Sequence, residues 1–255
     1  MIHTNKNKIT SLLKYLKIKK GSYVIIHCSS FMFGKIDGGI KTLYGTIRNN
    51  LGVENTLIYP SFTYSYRRNK VFDILKTPSD SEIGLLSEEA RKDPMSYRNN
   101  DPLFSLVSSG FDKKIIIRTK KECFGSNSIY KKLFNKNLYI LSLGVQLTHG
   151  ISEFMHIEKM ANVPYRKDKV FRGISISENN HSYKDYAIHF ARNEKFFKNF
   201  KINREDLENE LIKKKIIKKV KYGYGKILLL NGNDFFDYTL NRLNKNVLFM
   251  LKKFK

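Results

Sequence analysis

Apolar positions change their spacing several times along the chain, and each change marks an element. In residues 8–17, Ile9, Leu12, Leu13 and Leu16 recur at helical spacing, which predicts an amphipathic helix stopped at Gly21. Residues 22–27 (SYVIIH) form a short β-branched run without alternation, the pattern of a strand buried on both faces. A Ser/Gly-rich loop follows over 28–39, then a helix over 40–50 and a second strand over 56–62 (TLIYPSF). Strand, loop, helix and strand in that order make a βαβ unit, so a parallel sheet is expected. Residues 63–83 are polar and read as a long functional loop. Further on, 84–91 reads as a helix, 103–108 and 138–145 as strands, and 151–161 as a helix. Residues 167–177 and 181–191 fit paired strands or a strand and a helix equally well. The tail predicts a helix over 203–213 capped by Asn203, a strand over 226–230 and a helix over 234–243 capped by Asn233. Neither an internal repeat nor a Gly/Ser- or Pro-rich linker interrupts the series. The expected architecture is one α/β domain over 1–255, with a mixed, largely parallel central sheet flanked by helices.

Composition narrows the class. Apolar residues are 41% of the 255, enough to build a core and too many for a disordered chain. The 47 Lys and Arg against 23 Asp and Glu leave a net charge of +24. A lysine-rich composition accounts for part of this, and an anionic partner is the functional reading. The densest run, 213–221 (KKKIIKKVK), alternates with apolar residues like the solvated edge of a strand or helix. No nucleic-acid-binding motif accompanies it, which makes nucleic acid a remote partner. Cys28 and Cys123 are the only cysteines, which argues against a disulfide framework and for a reducing cytoplasm. No Cys or His pair has metal-ligand spacing, so no metal is expected. There is no secretory signal, and no apolar run approaches the roughly 18 residues a membrane span needs.

Candidate chemistry lies in six segments. Residues 27–39 (HCSSFMFGKIDGG) join a strand to a helix, where backbone N–H groups and the hydroxyls of Ser29 and Ser30 suit a phosphate or pantetheine. Residues 59–65 (YPSFTYS) put Thr63 at a strand's exit, where α/β proteins gather ligands. Residues 77–88 (TPSDSEIGLLSE) hold Ser81, Gly84 and Glu88; residues 100–110 (NDPLFSLVSSG) hold Asp101 and Ser105; residues 122–133 (ECFGSNSIYKKL) hold Gly125 and Ser128. Residues 150–166 (GISEFMHIEKMANVPYR) set His156 near Glu158, and a histidine with a carboxylate makes a general base near neutral pH.

Five of these segments, in order, resemble the antibiotic N-acetyltransferase family, whose best-known members are the aminoglycoside 3-N-acetyltransferases. The resemblance spans roughly 22–166. It implies direct transfer of an acetyl group from acetyl-CoA to an amine, with no covalent acyl-enzyme on Cys28. By this resemblance Ser29, Ser30, Thr63, Ser81, Gly84, Ser105, Gly125 and Ser128 are cofactor-binding candidates. His156 is the candidate base, oriented by Glu158, with His149 as its alternative. Loop amides near Ser29 or the Ser105 hydroxyl are candidates for the oxyanion. The chain departs from the family twice. Asp101 stands where the family's first histidine of His-Pro-x-His/Phe-Ser would be, and is a candidate contact for an amine or hydroxyl. The family's His-x-x-Glu before Val-Pro-Tyr-Arg is here His-x-Glu, and residues two apart do not share a helix face.

The net charge bears on the acceptor. Aminoglycosides are polycations, which a chain of +24 suits poorly. Asp101-Pro102-x-Phe104-Ser105 also resembles the branch of the family that is associated with surface-polysaccharide sugars, and this resemblance implies as acceptor an amino sugar on a nucleoside diphosphate, such as a dTDP-linked 3-amino-3,6-dideoxyhexose. Arg67, Arg68 or Arg166 would meet the diphosphate, and an aromatic side chain would stack on the base. The alternatives are an aminoglycoside-modifying enzyme and, further off, a nucleic-acid-binding protein. The protein is expected to be cytoplasmic and without membrane insertion, with a homo-oligomer among the expected partner states.

Overall fold

The computed structural model describes residues 1–148 and 150–254; His149 lies outside them. A seven-stranded sheet divides the molecule. Its order is Ile217–Tyr222, Gly225–Asn231, Leu138–Leu143, Tyr23–Cys28, Thr56–Pro60, Leu106–Gly110 and Tyr97–Arg98. The expected mixed sheet is present, but its parallel pairing is confined to the three central strands. The hairpins on either side pair antiparallel. Tyr23 and Ile25 pack on one face with Ile58, Leu138 and Ile140, while Val24 and Ile26 pack on the other with Leu57, Leu141 and Leu143. Burial on both faces is why these strands read as unbroken apolar runs.

Helices Lys6–Leu16, Gly39–Leu51 and Leu85–Lys92 cover one face; Ile129–Phe134, Glu153–Met160 and Gly232–Lys245 cover the other. The first helix turns at Lys17, whose backbone is left-handed, four residues before Gly21. The last is capped by Asn231, whose side chain accepts from the N–H groups of Asn233 and Asp234, rather than by Asn233. Asn203 accepts from the Glu205 N–H at the start of Glu205–Lys213. The basic run 213–221 ends in the edge strand Ile217–Tyr222. Ile217 is buried there while Lys219 and Lys221 face solvent, an arrangement that protects a sheet edge from further pairing.

The ambiguous region 167–191 is a long antiparallel hairpin, Arg166–Ile176 paired with Ser182–Arg192. Its register places Arg166 opposite Arg192 and Lys169 opposite His189. The expected loop over 63–83 contributes a strand of its own, Val71–Asp73, which pairs parallel with Arg166–Ile176. This three-stranded sheet stands beside the main one. Phe200–Ile202 pairs antiparallel with Leu251–Lys253 in a separate two-stranded ladder. Among the described residues no helix is long and apolar enough to cross a membrane.

Candidate active site

A cleft of about 2160 Å³ opens at the C-terminal ends of the three parallel strands. Its floor includes His27 and Cys28 from the first strand, Pro60 from the second and Val145 beyond the third. One wall is the segment Ser81–Leu85, held close because Gly84 has φ +99° and a Cβ there would come within 3.0 Å of the Cys28 carbonyl oxygen. The other wall is the long hairpin, with the Phe197–Glu205 stretch and Lys252. Ligand pockets usually measure 300–1,000 Å³, so a cleft this large accommodates two ligands side by side.

His27 is a titratable side chain at the cleft floor with its own carboxylate behind it. Its Nε2 lies 2.9 Å from Oε2 and 3.2 Å from Oε1 of Glu153. His27 is 6% exposed and lines the cleft; Glu153 is fully buried. Glu153 opens the helix Glu153–Met160, where the positive end of the helix dipole favours a carboxylate. A base facing the substrate space, oriented from behind by an acid, is the geometry that general-base catalysis requires.

His156 is not in this position. It is on the same helix but is fully buried outside the cleft. Phe134 stacks on its ring at 5.3 Å, and Tyr130 and Phe236 lie at 6.1 and 5.6 Å. Its Nδ1 accepts the Gly125 N–H at 3.1 Å, and burial, with Lys131 adding to it, lowers its pKa to about 3. A histidine so placed braces the core and does not reach a ligand. Glu158 does not orient it either. The Glu158 carboxylate is fully buried between Arg166 and Arg204, with Arg204 at 3.0 Å. Counting three residues back from Glu158, as a His-x-x-Glu pattern would, reaches Met155, which does line the cleft.

Comparison with known proteins matches the chain, over most of its length, to a family. The model of the aminoglycoside 3-N-acetyltransferase family matches residues 25–244. The chain belongs to that family. With it, the chain joins the acetyl-CoA-dependent N-acetyltransferases. A relative from Bacillus subtilis (strain 168), the SPbeta prophage-derived aminoglycoside N(3')-acetyltransferase-like protein YokD, is 28% identical over 184 residues, covering 64% of this chain and 66% of that protein. Among solved structures, the aminoglycoside acetyltransferase AAC(3)-IIb superposes with a TM-score of 0.82 at 18% identity, over 96% of this chain and 98% of that one. AAC-IIIb, solved as a binary complex with CoASH, superposes at 0.79 and 17% identity, over 95% and 97%. These likenesses establish the shared fold.

The remaining family-like residues divide into two groups. Ser29, Ser30, Ser81 and Gly84 line the cleft. Thr63, Ser105, Gly125 and Ser128 do not, because each is committed to a structural bond. Thr63 donates to the Pro102 carbonyl at 2.7 Å. Ser105 donates to the Ser61 carbonyl and accepts from Arg98 at 3.1 and 3.2 Å, so its hydroxyl is not available to an oxyanion. The Ser29 N–H is likewise engaged, by the Leu143 carbonyl at 2.8 Å. Ser128 donates to the Gly125 carbonyl at 2.7 Å, and Gly125 in turn donates to His156, so these three form one knot behind the helix. Asp101, 3% exposed, accepts the N–H groups of Leu103 and Phe104 at 2.9 Å; it closes a turn and does not line the cleft. Burial pushes the Cys28 thiol up to about 12, which leaves little of it as thiolate near neutral pH. Arg67 and Arg166 line the cleft and Arg68 does not.

Three cleft residues escaped the sequence reading, His27, His189 and Arg204. His27 stood inside a quoted motif, but its partner is 126 residues away. His189 lies on the hairpin against Phe104, with ring centroids 4.7 Å apart, and neither ring nitrogen has a partner among the described residues. Burial, followed by Arg67, Arg166 and Lys169, lowers its pKa to about 3, so the ring is neutral near neutral pH. Nothing in the sequence around Arg204 marked it.

Proposed function

We propose that the protein transfers an acetyl group from acetyl-CoA to the amine of a nucleotide-linked amino sugar, such as a dTDP-3-amino-3,6-dideoxyhexose, in the cytoplasmic steps of surface-polysaccharide synthesis. Family membership supports the donor and the reaction. The charge of the cleft supports the acceptor. Its lining carries eight Lys and Arg (Arg67, Arg166, Lys167, Lys169, Arg192, Lys201, Arg204, Lys252) and four Asp and Glu (Glu82, Asp168, Glu194, Glu205). An anionic acceptor enters such a site with the field, and a polycation enters against it.

In this reading His27 takes a proton from the acceptor amine as its nitrogen attacks the thioester carbonyl. Glu153 holds the ring and stabilises the imidazolium that forms. The new N–C bond replaces the C–S bond, and the departing CoA thiolate receives the proton back from His27. Cys28 is a bystander. His189 hydrogen-bonds the acceptor's sugar.

A second reading is favoured by the family itself, the aminoglycoside 3-N-acetyltransferases, and by the likeness of the fold to that of sisomicin-bound AAC-VIa. An aminoglycoside would have to place its ammonium groups among Glu82, Asp168, Glu194 and Glu205, of which Asp168 already pairs with Lys159. Thiol release from acetyl-CoA, measured in parallel with a dTDP-3-amino-3,6-dideoxyhexose and an aminoglycoside, separates the two. Turnover of the sugar nucleotide alone supports the proposal; turnover of the aminoglycoside alone replaces it with the second reading.

A further inference from the structure

The far wall of the cleft holds more positive charge than its own carboxylates neutralise. Arg166 and Arg204 are 8% and 4% exposed, and both converge on the single buried carboxylate of Glu158. One carboxylate balances one guanidinium, so the trio keeps a unit of positive charge away from bulk water, which is costly without a counter-ion. Arg204 is also fixed in place. Its guanidinium lies over the Phe154 ring at 3.7 Å, and its Nε has no hydrogen-bond partner among the described residues.

The strands around this trio repeat the imbalance. Arg166 is directly opposite Arg192 in the long hairpin. Lys201 is directly opposite Lys252 in the two-stranded ladder. Like charges directly opposite in an antiparallel pair are destabilising, and here two such pairs border one cleft. The nearby acids, Glu194 and Glu205, are exposed, whereas the two buried cations are not.

We propose that Arg166, Arg192, Arg204, Lys201 and Lys252 form a binding site for the phosphate groups of a nucleotide ligand, with Glu158 as the positioning residue that holds Arg166 and Arg204. Guanidinium pairs bind phosphate through parallel N–H donors, and the two lysines add point charge at the rim. Two ligands of the proposed reaction carry a diphosphate, the sugar nucleotide and acetyl-CoA. Only the choice between them rests on the proposed function; the site itself does not.

The test is isothermal titration of the protein with inorganic pyrophosphate, dTDP and CoA at two salt concentrations. Wild type is compared with Lys201→Ala/Lys252→Ala, whose side chains are exposed, and with Arg204→Gln. Pyrophosphate affinity is expected to fall about tenfold or more in both variants and to weaken with salt. A matching loss for dTDP with CoA unchanged assigns the site to the acceptor; a loss for CoA with dTDP unchanged assigns it to the donor. Wild type that binds none of the three, or variants that bind all three as wild type does, overturns the site. Loss of thiol release with this binding intact would instead sink the proposed reaction and leave the site standing.

Discussion

Two histidine–glutamate pairs meet at the helix Glu153–Met160, and they differ in every respect that matters for chemistry. His156 and Glu158 are two residues apart in sequence, yet their side chains leave the helix in different directions. One enters an aromatic knot with Phe134, Tyr130 and Phe236; the other enters an ion pair with Arg166 and Arg204. His27 and Glu153 are 126 residues apart, yet their side chains are 2.9 Å apart at the cleft floor. The fold brings a strand's end to a helix's start, where an open space and a favourable dipole coincide. Closeness along the chain built a brace, and closeness in space built the pair that we propose as the base and its partner.

Removing each ring in turn separates the two pairs most sharply. His27→Ala is expected to lower kcat/KM for acyl transfer by about 10²–10⁴-fold with the fold intact, as loss of a general base does. Glu153→Gln is expected to cost less, about 10²-fold, because the amide keeps a hydrogen bond to the ring but not the charge. His156→Ala should do the opposite. Steady-state kinetics per folded molecule should stay near wild type, while stability falls by about 2–4 kcal/mol from the cavity left among three aromatic rings. Calorimetry would read that as roughly a 5–15 °C lower Tm.

A subtler effect is pH dependence. The folded-state pKa of His156 is about 3, as is that of His189, against 6.5 in an unfolded chain. The unfolded state therefore binds more protons between these values. Stability is fully present above pH 6.5 and declines as pH falls towards 3, by about 1.4 kcal/mol per pH unit for each histidine. His156→Gln should flatten the slope of urea-denaturation stability against pH over that window by about one histidine's share. An unchanged slope would mean that the ring is not held neutral.

The smallest effect is expected at Glu88, in a segment that resembles the family's cleft-lining motif. Burial raises its pKa, but hydrogen bonds from Arg91 and from the Ser79 N–H outweigh that and bring it to about 2. Its contribution is present above pH 4.5 and is lost as pH falls towards 2. Glu88→Gln should cost about 1 kcal/mol at pH 7, discounted for its partial exposure, and almost nothing at pH 2. Activity should not change.

Much of the sheet was legible because buried strands are written as unbroken apolar runs, as at Val24–Ile26 and Leu138–Leu143. The long hairpin was not, because its two strands, 166–176 and 182–192, mix lysines, arginines and aromatics; one end lines the cleft, Ala187 and Phe190 join the core, and much of the rest is solvated. Ser29, Ser81 and Gly84, singled out by their motifs, lie in segments that line the cleft. The motifs missed the role of Thr63, Ser105, Gly125 and Ser128, whose hydroxyls and amides are spent on neighbouring backbone and side chains. Asp101 carried a readable signal: Asn-Asp-Pro is turn chemistry, and a turn is what it closes. The His27–Glu153 pair had no local signature, since no spacing rule joins residues across 126 positions.

The most direct test of the account is chemical rescue. Thiol release from acetyl-CoA in the presence of the sugar-nucleotide amine would be followed for His27→Ala and His156→Ala, with and without added imidazole. The expected result is an inactive His27→Ala that regains turnover as imidazole is raised, beside a His156→Ala that is active without it. An active His27→Ala, or a dead but folded His156→Ala that imidazole restores, would contradict the assignment of His27 as the base.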